Sequence, residues 1–321
     1  MPQIVVLGEA LIDLFAEQGV SLRYANSFQP SPGGAPANVA VALARLGGDV
    51  GFIGKVGSDD YGAYLMELLD QEGVDTTHFI ADPGGPTMLA IVAAPSATEQ
   101  QFVLYNGAND LLSVADLCQP YITSAGIFIY GSITLASNSR FAALQAVHWA
   151  KEMGSQIIFD VNLRPVLWPD LNVARQRIEE SIGLATVVKL NETELEFLTG
   201  LADPVLGSQQ LVEEGVQLCC VSLGEDGAYF HNGRASGHVP AFAVDVVDTT
   251  GSGDAFVAGL AHQLNQMETA VALLDDKILT QIITFANACG ALAATKMGAM
   301  SASPTMEAVG ELLCAKMLVD E

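Results

Sequence analysis

The sequence predicts an α/β fold: a doubly wound, mostly parallel sheet with helices on both faces, joined by a second, smaller β-sheet. Three observations lead there. Short apolar runs alternate with amphipathic helical patterns along most of the chain, which is the rhythm of a parallel sheet crossed by helices. Two stretches, 13–30 and 84–105, break that rhythm and read as extended chain. The 321 residues are 50% hydrophobic and 16% charged, enough to fill a large core and the reverse of a disordered composition.

The elements follow in order. "IVVL" (4–7), ended by Gly8, suits a strand buried on both faces. "PANVAVALARLG" (36–47) is helical, with Val39, Leu43 and Leu46 on one face and Gly47 as a stop. "VGFIGKVG" (50–57) is the next strand, and "YGAYLMELLDQEG" (61–73) an amphipathic helix. "TMLAIVAA" and "QFVLYN" flank a polar turn like a hairpin, and with 13–30 they are expected to form the small sheet. Further strands are expected at 126–131, 156–160, 185–190 and 218–223, with helices at 138–152, 171–182, 192–199 and 207–215. A hairpin-like stretch (227–247) and two long apolar helices, 253–265 and 279–295, complete the chain. No linker or repeat divides residues 1–321, so one domain is expected.

The net charge of -24, from 37 acids against 13 bases, argues against nucleic acid and anionic membranes as partners. The five cysteines have no CxxC spacing and read as small core residues. No apolar run reaches the ~20 residues of a membrane helix, and no basic leader precedes the first strand, so a cytoplasmic protein is expected. With bases so scarce, a phosphate compound would have to be held largely by backbone N–H groups and a metal ion.

Two nucleotide signatures are missing. Gly54-Lys55 is followed by valine and lacks the upstream glycine of a P-loop, and only Gly8 follows the first strand where a Rossmann fingerprint needs three glycines. "DVVDTTGSGDAFVAGL" (245–260) offers another scheme. Gly251, Ser252 and Gly253 precede an apolar helix, whose first N–H groups lack intrahelical partners and favour an anion. Asp254 lies in the same turn, where the helix start favours its ionised form, and an ionised carboxylate can accept a proton from an attacking hydroxyl. By spacing alone the stretch serves equally as a glycine-rich cap or as a catalytic turn.

"DTTGSGDAF" resembles the C-terminal signature of the ribokinase-like (PfkB) carbohydrate kinases, and "PGGAPANVAVALARLGGDVGFIGKVGSDDYG" (32–62) resembles their N-terminal one. "DVNLRPVLWPD" (160–170), "KLNETELEFLTG" (189–200), "VSLGEDGAYF" (221–230) and "FANACGAL" (285–292) follow in the family's order, with the flavour of its fructokinase branch. The resemblance implies roles residue by residue. Asp254 matches the catalytic base, and Gly251, Ser252 and Gly253 the anion hole. Arg164 matches an arginine near the transferred phosphate or the substrate. Asp13, Gly33, Gly34 and Asn38 match the sugar site, and Asn191 with Glu194 matches an NxxE motif that organises magnesium and phosphate, often through water. Ser222, Gly224 and Gly227 match the nucleotide loop, and Asn287 falls where adenine is expected. Asp248, Thr250 and Gly298 stand where relatives bind a monovalent cation, usually potassium.

The resemblance therefore implies an ATP- and Mg2+-dependent kinase acting on D-fructose, with a lid built from 13–30 and 84–105 that pairs two subunits in a homodimer. Other family kinases (of ribose, a nucleoside or 2-keto-3-deoxygluconate) and a non-catalytic sugar-binding regulator are the alternatives. One departure bears on the substrate: where such fructokinases often carry "YRNPSAD", this chain reads "YNGAND" (105–110). The missing arginine counts against a sugar acid, whose carboxylate favours a guanidinium clamp. The five histidines lie outside every motif and read as structural.

Overall fold

The structure, a computed structural model, describes residues 1–96 and 99–319. The first strand, β1 (Ile4–Leu7), divides its side chains between two cores. Ile4 and Val6 enter one, Val5 and Leu7 the other, and all four are fully buried. That double burial explains an unbroken apolar run in place of alternation. The chain then leaves the main sheet for β2 (Leu11–Ala16) and β3 (Phe28–Gly33), an antiparallel pair. It returns through α1 (Ala35–Arg45), β4 (Val50–Gly57), α2 (Asp60–Gln71) and β5 (Asp75–Asp82). A second excursion forms β6 (Leu89–Ser96) and β7 (Glu99–Tyr105).

The remainder alternates. In order it forms α3 (Gln119–Thr123), β8 (Ile127–Gly131), α4 (Arg140–Glu152), β9 (Gln156–Asp160) and α5 (Leu171–Ile182). Then come β10 (Val187–Asn191), α6 (Glu192–Thr199), α7 (Pro204–Glu213) and β11 (Leu218–Ser222). The hairpin β12 (Ala228–His231) and β13 (Ser236–Val239) leads to α8 (Ser252–Leu264), α9 (Asp276–Ala293) and α10 (Met306–Val319).

Nine strands make the main sheet in the order β13-β12-β11-β10-β9-β8-β1-β4-β5. All its pairs from β11 to β5 are parallel, and β12 and β13 add an antiparallel edge. The order reverses at β1, between β4 and β8, and in such sheets a crevice opens beyond the carboxyl ends of the strands beside that reversal. The small sheet runs β3-β2-β6-β7, with β2 parallel to β6. Leu11, Met88 and Ala90 give it a core of its own. Its base is fastened to the main body. Asp59, the N-cap of α2, accepts from the Thr87 N–H at 2.7 Å and from its hydroxyl at 2.6 Å, and Thr87 Oγ1 accepts from Gly57 N–H at 3.1 Å.

The α/β fold with a second sheet is as the sequence predicts, and the differences have physical causes. β5 was not expected, because as an edge strand it buries only Phe79 of its eight residues. α10 was not expected either; "MEAVGELLCAKMLV" carries its apolar residues without a clean stripe. Pro204 starts α7 earlier than the apolar pattern suggests, as proline can at a first helical position. The hairpin ends at Val239, well before 247. Cys219, Cys220 and Cys289 are buried as expected, but Cys118 is half-buried and Cys314 exposed. Lys55, of the rejected P-loop match, binds Asp82 at 2.8 Å and Asp116 at 3.0 Å and ties β4 to its neighbours. Among the described residues no helix is long and apolar enough to cross a membrane.

Candidate active site

α8 begins at Ser252, and Gly251 is its N-cap with φ 80° and ψ -4°. That left-handed conformation favours glycine. A Cβ at 251 would also meet the Cα and Cβ of Ala299 at 2.8 Å. Ser252 N–H turns back to the Thr249 carbonyl at 3.2 Å, and Ala255 makes the first intrahelical bond, to Gly251. The amides of Gly253 and Asp254 therefore lie at the open start of the helix. Ser252 Oγ is buried without a hydrogen-bond partner among the described residues.

Asp254 is buried, and its Oδ2 accepts from Asn38 Nδ2 at 2.7 Å. The helix start was expected to favour a carboxylate here. Burial dominates instead: with the nearby Asp160 charge it pushes the acid up to about 6, against the pull of Asn38, Lys189 and Arg164. At neutral pH it is still mostly ionised, and it is a stronger base than an exposed aspartate.

The sugar-side residues converge on the same place. Asp13, on β2, lies over Gly33, where a Cβ would meet its Oδ2. Gly34 caps α1 with φ 103°, and a Cβ there would meet the Glu9 carbonyl at 2.6 Å. Asn38 leaves its Oδ1 without a partner among the described residues while its Nδ2 amide donates to Asp254. Burial raises the Asp13 carboxyl to about 7, with Arg164 opposing and Asp254 reinforcing the shift. Arg164 itself is exposed, and β7 rests on the Pro165–Leu167 turn just beyond it.

Asn191 and Glu194 form a capping box at the start of α6. Asn191 Oδ1 accepts from Glu194 N–H and Glu194 Oε2 from Asn191 N–H, both at 2.9 Å, while Glu194 Oε1 accepts from Leu163 N–H at 2.8 Å. Glu194 so ties β10 to the loop after β9. Ser222 pairs with Asn191 across β10 and β11. Gly227 and Asn287 meet at the end of β13: a Cβ on Gly227 would strike the Val239 carbonyl, to which Asn287 Nδ2 donates at 3.0 Å. That amide also reaches Pro240 O at 3.3 Å, so it braces the strand end. Gly224, at φ 59°, opens the turn between β11 and β12. Asp248, Thr250 and Gly298 do come together. Asp248 Oδ1 accepts from Thr250 N–H and hydroxyl at 3.0 and 2.7 Å, and Oδ2 from Gly298 N–H at 3.0 Å. In "YNGAND", Asn106 and Asn109 donate to Asp110 at 2.9 and 3.0 Å.

Three charged residues of the site went unassigned in the sequence: Glu9, Asp160 and Lys189. Asp160 and Lys189 stand at or near the carboxyl ends of β9 and β10, 3.1 Å apart and both buried. The available signal was a charge closing a buried apolar strand, in "QIIFD" and "VVKLN", in a chain poor in bases. Glu9 lies between β1 and β2, fully enclosed, and neither oxygen has a hydrogen-bond partner among the described residues. It lines two cavities of about 10 Å³ each, room for about one water apiece. Burial raises it to about 8; the backbone N–H groups of Glu9 and Ala35 pull it down without closing a bond of good geometry, and the Asp254 charge pushes it up.

Glu9 has a measurable consequence. Between its ordinary 4.5 and about 8 the folded protein holds a proton that the unfolded chain has lost. The ligand-free protein therefore loses stability from this group as pH rises through that window. Glu9→Gln is expected to be more stabilising at pH 8.5 than at pH 5, with a difference of up to about 4 kcal/mol. Urea unfolding at the two pH values measures it, and equal effects at both would show that Glu9 is ionised in the folded state.

A model of the pfkB family carbohydrate kinases matches residues 1–306. Fructokinase-1 of Oryza sativa subsp. japonica is 43% identical over 317 residues, covering 97% of each chain. Among solved structures, a fructokinase from Xylella fastidiosa with bound ATP superposes with a TM-score of 0.89 at 34% identity, covering 99% of this chain and 100% of that one. A fructokinase from Vibrio cholerae O395 with fructose, ADP and calcium ion bound gives 0.87 at 34% identity, covering 98% and 99%. The family model covers residues 1–306 and the similarity to these relatives runs along nearly the whole chain: the chain belongs to the pfkB family of carbohydrate kinases.

Proposed function

We propose that the protein transfers the γ-phosphoryl group of ATP to the primary hydroxyl of D-fructose at carbon 6, giving fructose 6-phosphate. The observation that carries the chemistry is Asp254, a buried carboxylate in the first turn of α8, beside open helix-start amides and held by Asn38. Fructose as acceptor rests on full-length similarity to fructokinases.

The chain's groups divide the work. Asp13 and the Gly33-Gly34 turn receive the sugar's hydroxyls, since a carboxylate accepts from them. Asp254 takes the proton of the attacking hydroxyl, and Asn38 fixes which carboxylate oxygen faces it. The amides of the Gly251–Gly253 turn and the adjoining helix start stabilise the charge on the phosphoryl group in flight. Arg164 lends a guanidinium near Asp13 and Asp254, on both of which its charge acts. Ser222, Gly224, Gly227 and Asn287 border the nucleotide. Glu194 fits magnesium held through water: both its oxygens already take backbone N–H groups, and magnesium keeps several waters. Bound magnesium supplies positive charge to the ATP phosphates. Asp248 and Thr250 would offer a monovalent cation, potassium in this reading, a carboxylate and a hydroxyl oxygen, with the Gly298 N–H holding the carboxylate in place.

The small sheet serves as the lid of one domain spanning 1–321. Its exposed Phe28, Val103 and Tyr105 support pairing of two copies in a homodimer. A cytoplasmic location accords with the acidic, helix-and-sheet composition.

An ATP-coupled assay across fructose, ribose, adenosine and 2-keto-3-deoxygluconate tests the substrate. Fructose is expected to have the highest kcat/KM, by at least about tenfold. A higher value for any of the others would reassign the acceptor, and turnover of none would favour a sugar-binding regulator.

A further inference from the structure

Lys189 has no part in the mechanism above, yet it is fully buried at its centre. Its Nζ lies 3.1 Å from Asp160 Oδ1, and this is its one hydrogen bond within the described structure. A Cβ built on Gly253 would lie 3.0 Å from the same Nζ. Gly253 has ordinary helical geometry, so the backbone conformation does not require glycine there. A methyl there would instead press on the buried ammonium and make it shift. One residue on, Asp254 occupies the same turn.

We propose that Lys189 is a positioning residue for phosphoryl transfer: its ammonium, wedged between Asp160 and the backbone of Gly253, is a fixed positive charge beneath the turn that carries Asp254. The inference rests on Asp254 being the base. It resolves the shortage of bases noted in the sequence. One lysine, shielded from solvent, acts where Coulomb forces are far stronger than at a surface.

The sign of the effect follows from the groups that face Asp254. Asn38 on α1 donates to it. Asp160 at the end of β9 opposes its ionisation, and Lys189 on β10 and Arg164 in the loop after β9 favour it. The carboxyls of Glu9 and Asp13 both feel its charge. Lys189 stays protonated in the fold because Asp160, Glu194 and Asp254 outweigh its burial. Removing it strips one favourable charge from Asp254 and leaves Asp160 uncompensated.

The test is the acid limb of the kcat/KM pH profile, which reports the base in the free enzyme. Lys189→Met is expected to move that limb up by about one pH unit. Its loss of kcat/KM, about threefold at pH 6.5 and approaching tenfold only below pH 6, should largely recover at pH 8.5. Asp160→Asn should move the limb down. The double variant Lys189→Met/Asp160→Asn removes the pair together and should return the limb close to wild type. Should Lys189→Met alone fail to fold, the step from Asp160→Asn, whose amide oxygen can still accept from the ammonium, to the double variant isolates the lysine without leaving Asp160 as an unpaired buried carboxylate. A lysine that merely supports the fold would lower expression or melting temperature and leave the limb in place, and an unmoved limb along that step overturns the proposal. Asp254→Asn run alongside separates the two readings. If it retains turnover, the base is misassigned; if it is inactive and the limbs stay put, only the role of Lys189 falls.

Discussion

Asp254→Asn is expected to lower kcat by about 10³-fold or more while ATP still binds. Asparagine keeps the size of the side chain and an oxygen for the Asn38 amide, so the turn should hold its shape. What it loses is the capacity to take a proton. The fold should gain: the buried carboxylate is pushed up to about 6, so above that pH its charge works against folding. Relieving that charge at pH 8 should add on the order of 2–3 kcal/mol of stability. An inactive variant with a raised melting temperature and unchanged ATP binding by calorimetry would thus separate lost chemistry from lost structure. Turnover within tenfold of wild type would end the assignment of Asp254 as base.

Gly251→Ala is expected to cost about 10²–10³-fold in kcat, the scale of losing an anion-hole donor. Two strains add. The left-handed φ of 80° disfavours any Cβ by about 1–2 kcal/mol. The new methyl would also press on the backbone of Ala299, whose neighbour Gly298 is tied to Asp248. The turn must then shift, and with it the amides and Asp254. Gly154→Ala is the matching control. Its φ is 88°, but nothing lies within 4 Å of the added methyl, and the residue is far from the site in the α4–β9 turn. That variant should lose stability and keep wild-type kcat. Equal kinetics for both variants would mean that the 251 turn does not hold the transferred group.

The main sheet was legible because its strands are buried on both faces, so that "IVVL", "IFIYG" and "QIIFD" stand out as runs. β5 was not, since an edge strand needs one buried side chain where a central one needs four. The glycine turn and Asp254 could be found because helix-start chemistry is local. The protonation of Asp254 could not be read the same way. A helix terminus is visible in ten residues, whereas the burial and the Asp160 charge that outweigh it come from distant segments. Glu9, Asp160 and Lys189 escaped for the same reason: each reads as a single charge beside a strand, and only the sheet register sets Lys189 against Asp160.

The link between β1 and β2 is three residues long, Gly8, Glu9 and Ala10, and Gly34 packs on the Glu9 carbonyl where the small sheet rejoins the body. The two crossings of the first excursion thus meet at one fulcrum. Asp13 rides on the lever arm, and Asp254, Asn38 and Lys189 stay on the frame. In the roles proposed for them, the grip on the sugar and the base that activates it therefore belong to different layers of the fold, Asp13 to the small sheet and Asp254 to a helix of the main body. Were the small sheet to act as the proposed lid, a swing away from the frame would pull them apart, and the open enzyme would be a disarmed one, with ATP facing water but no acceptor held against the base.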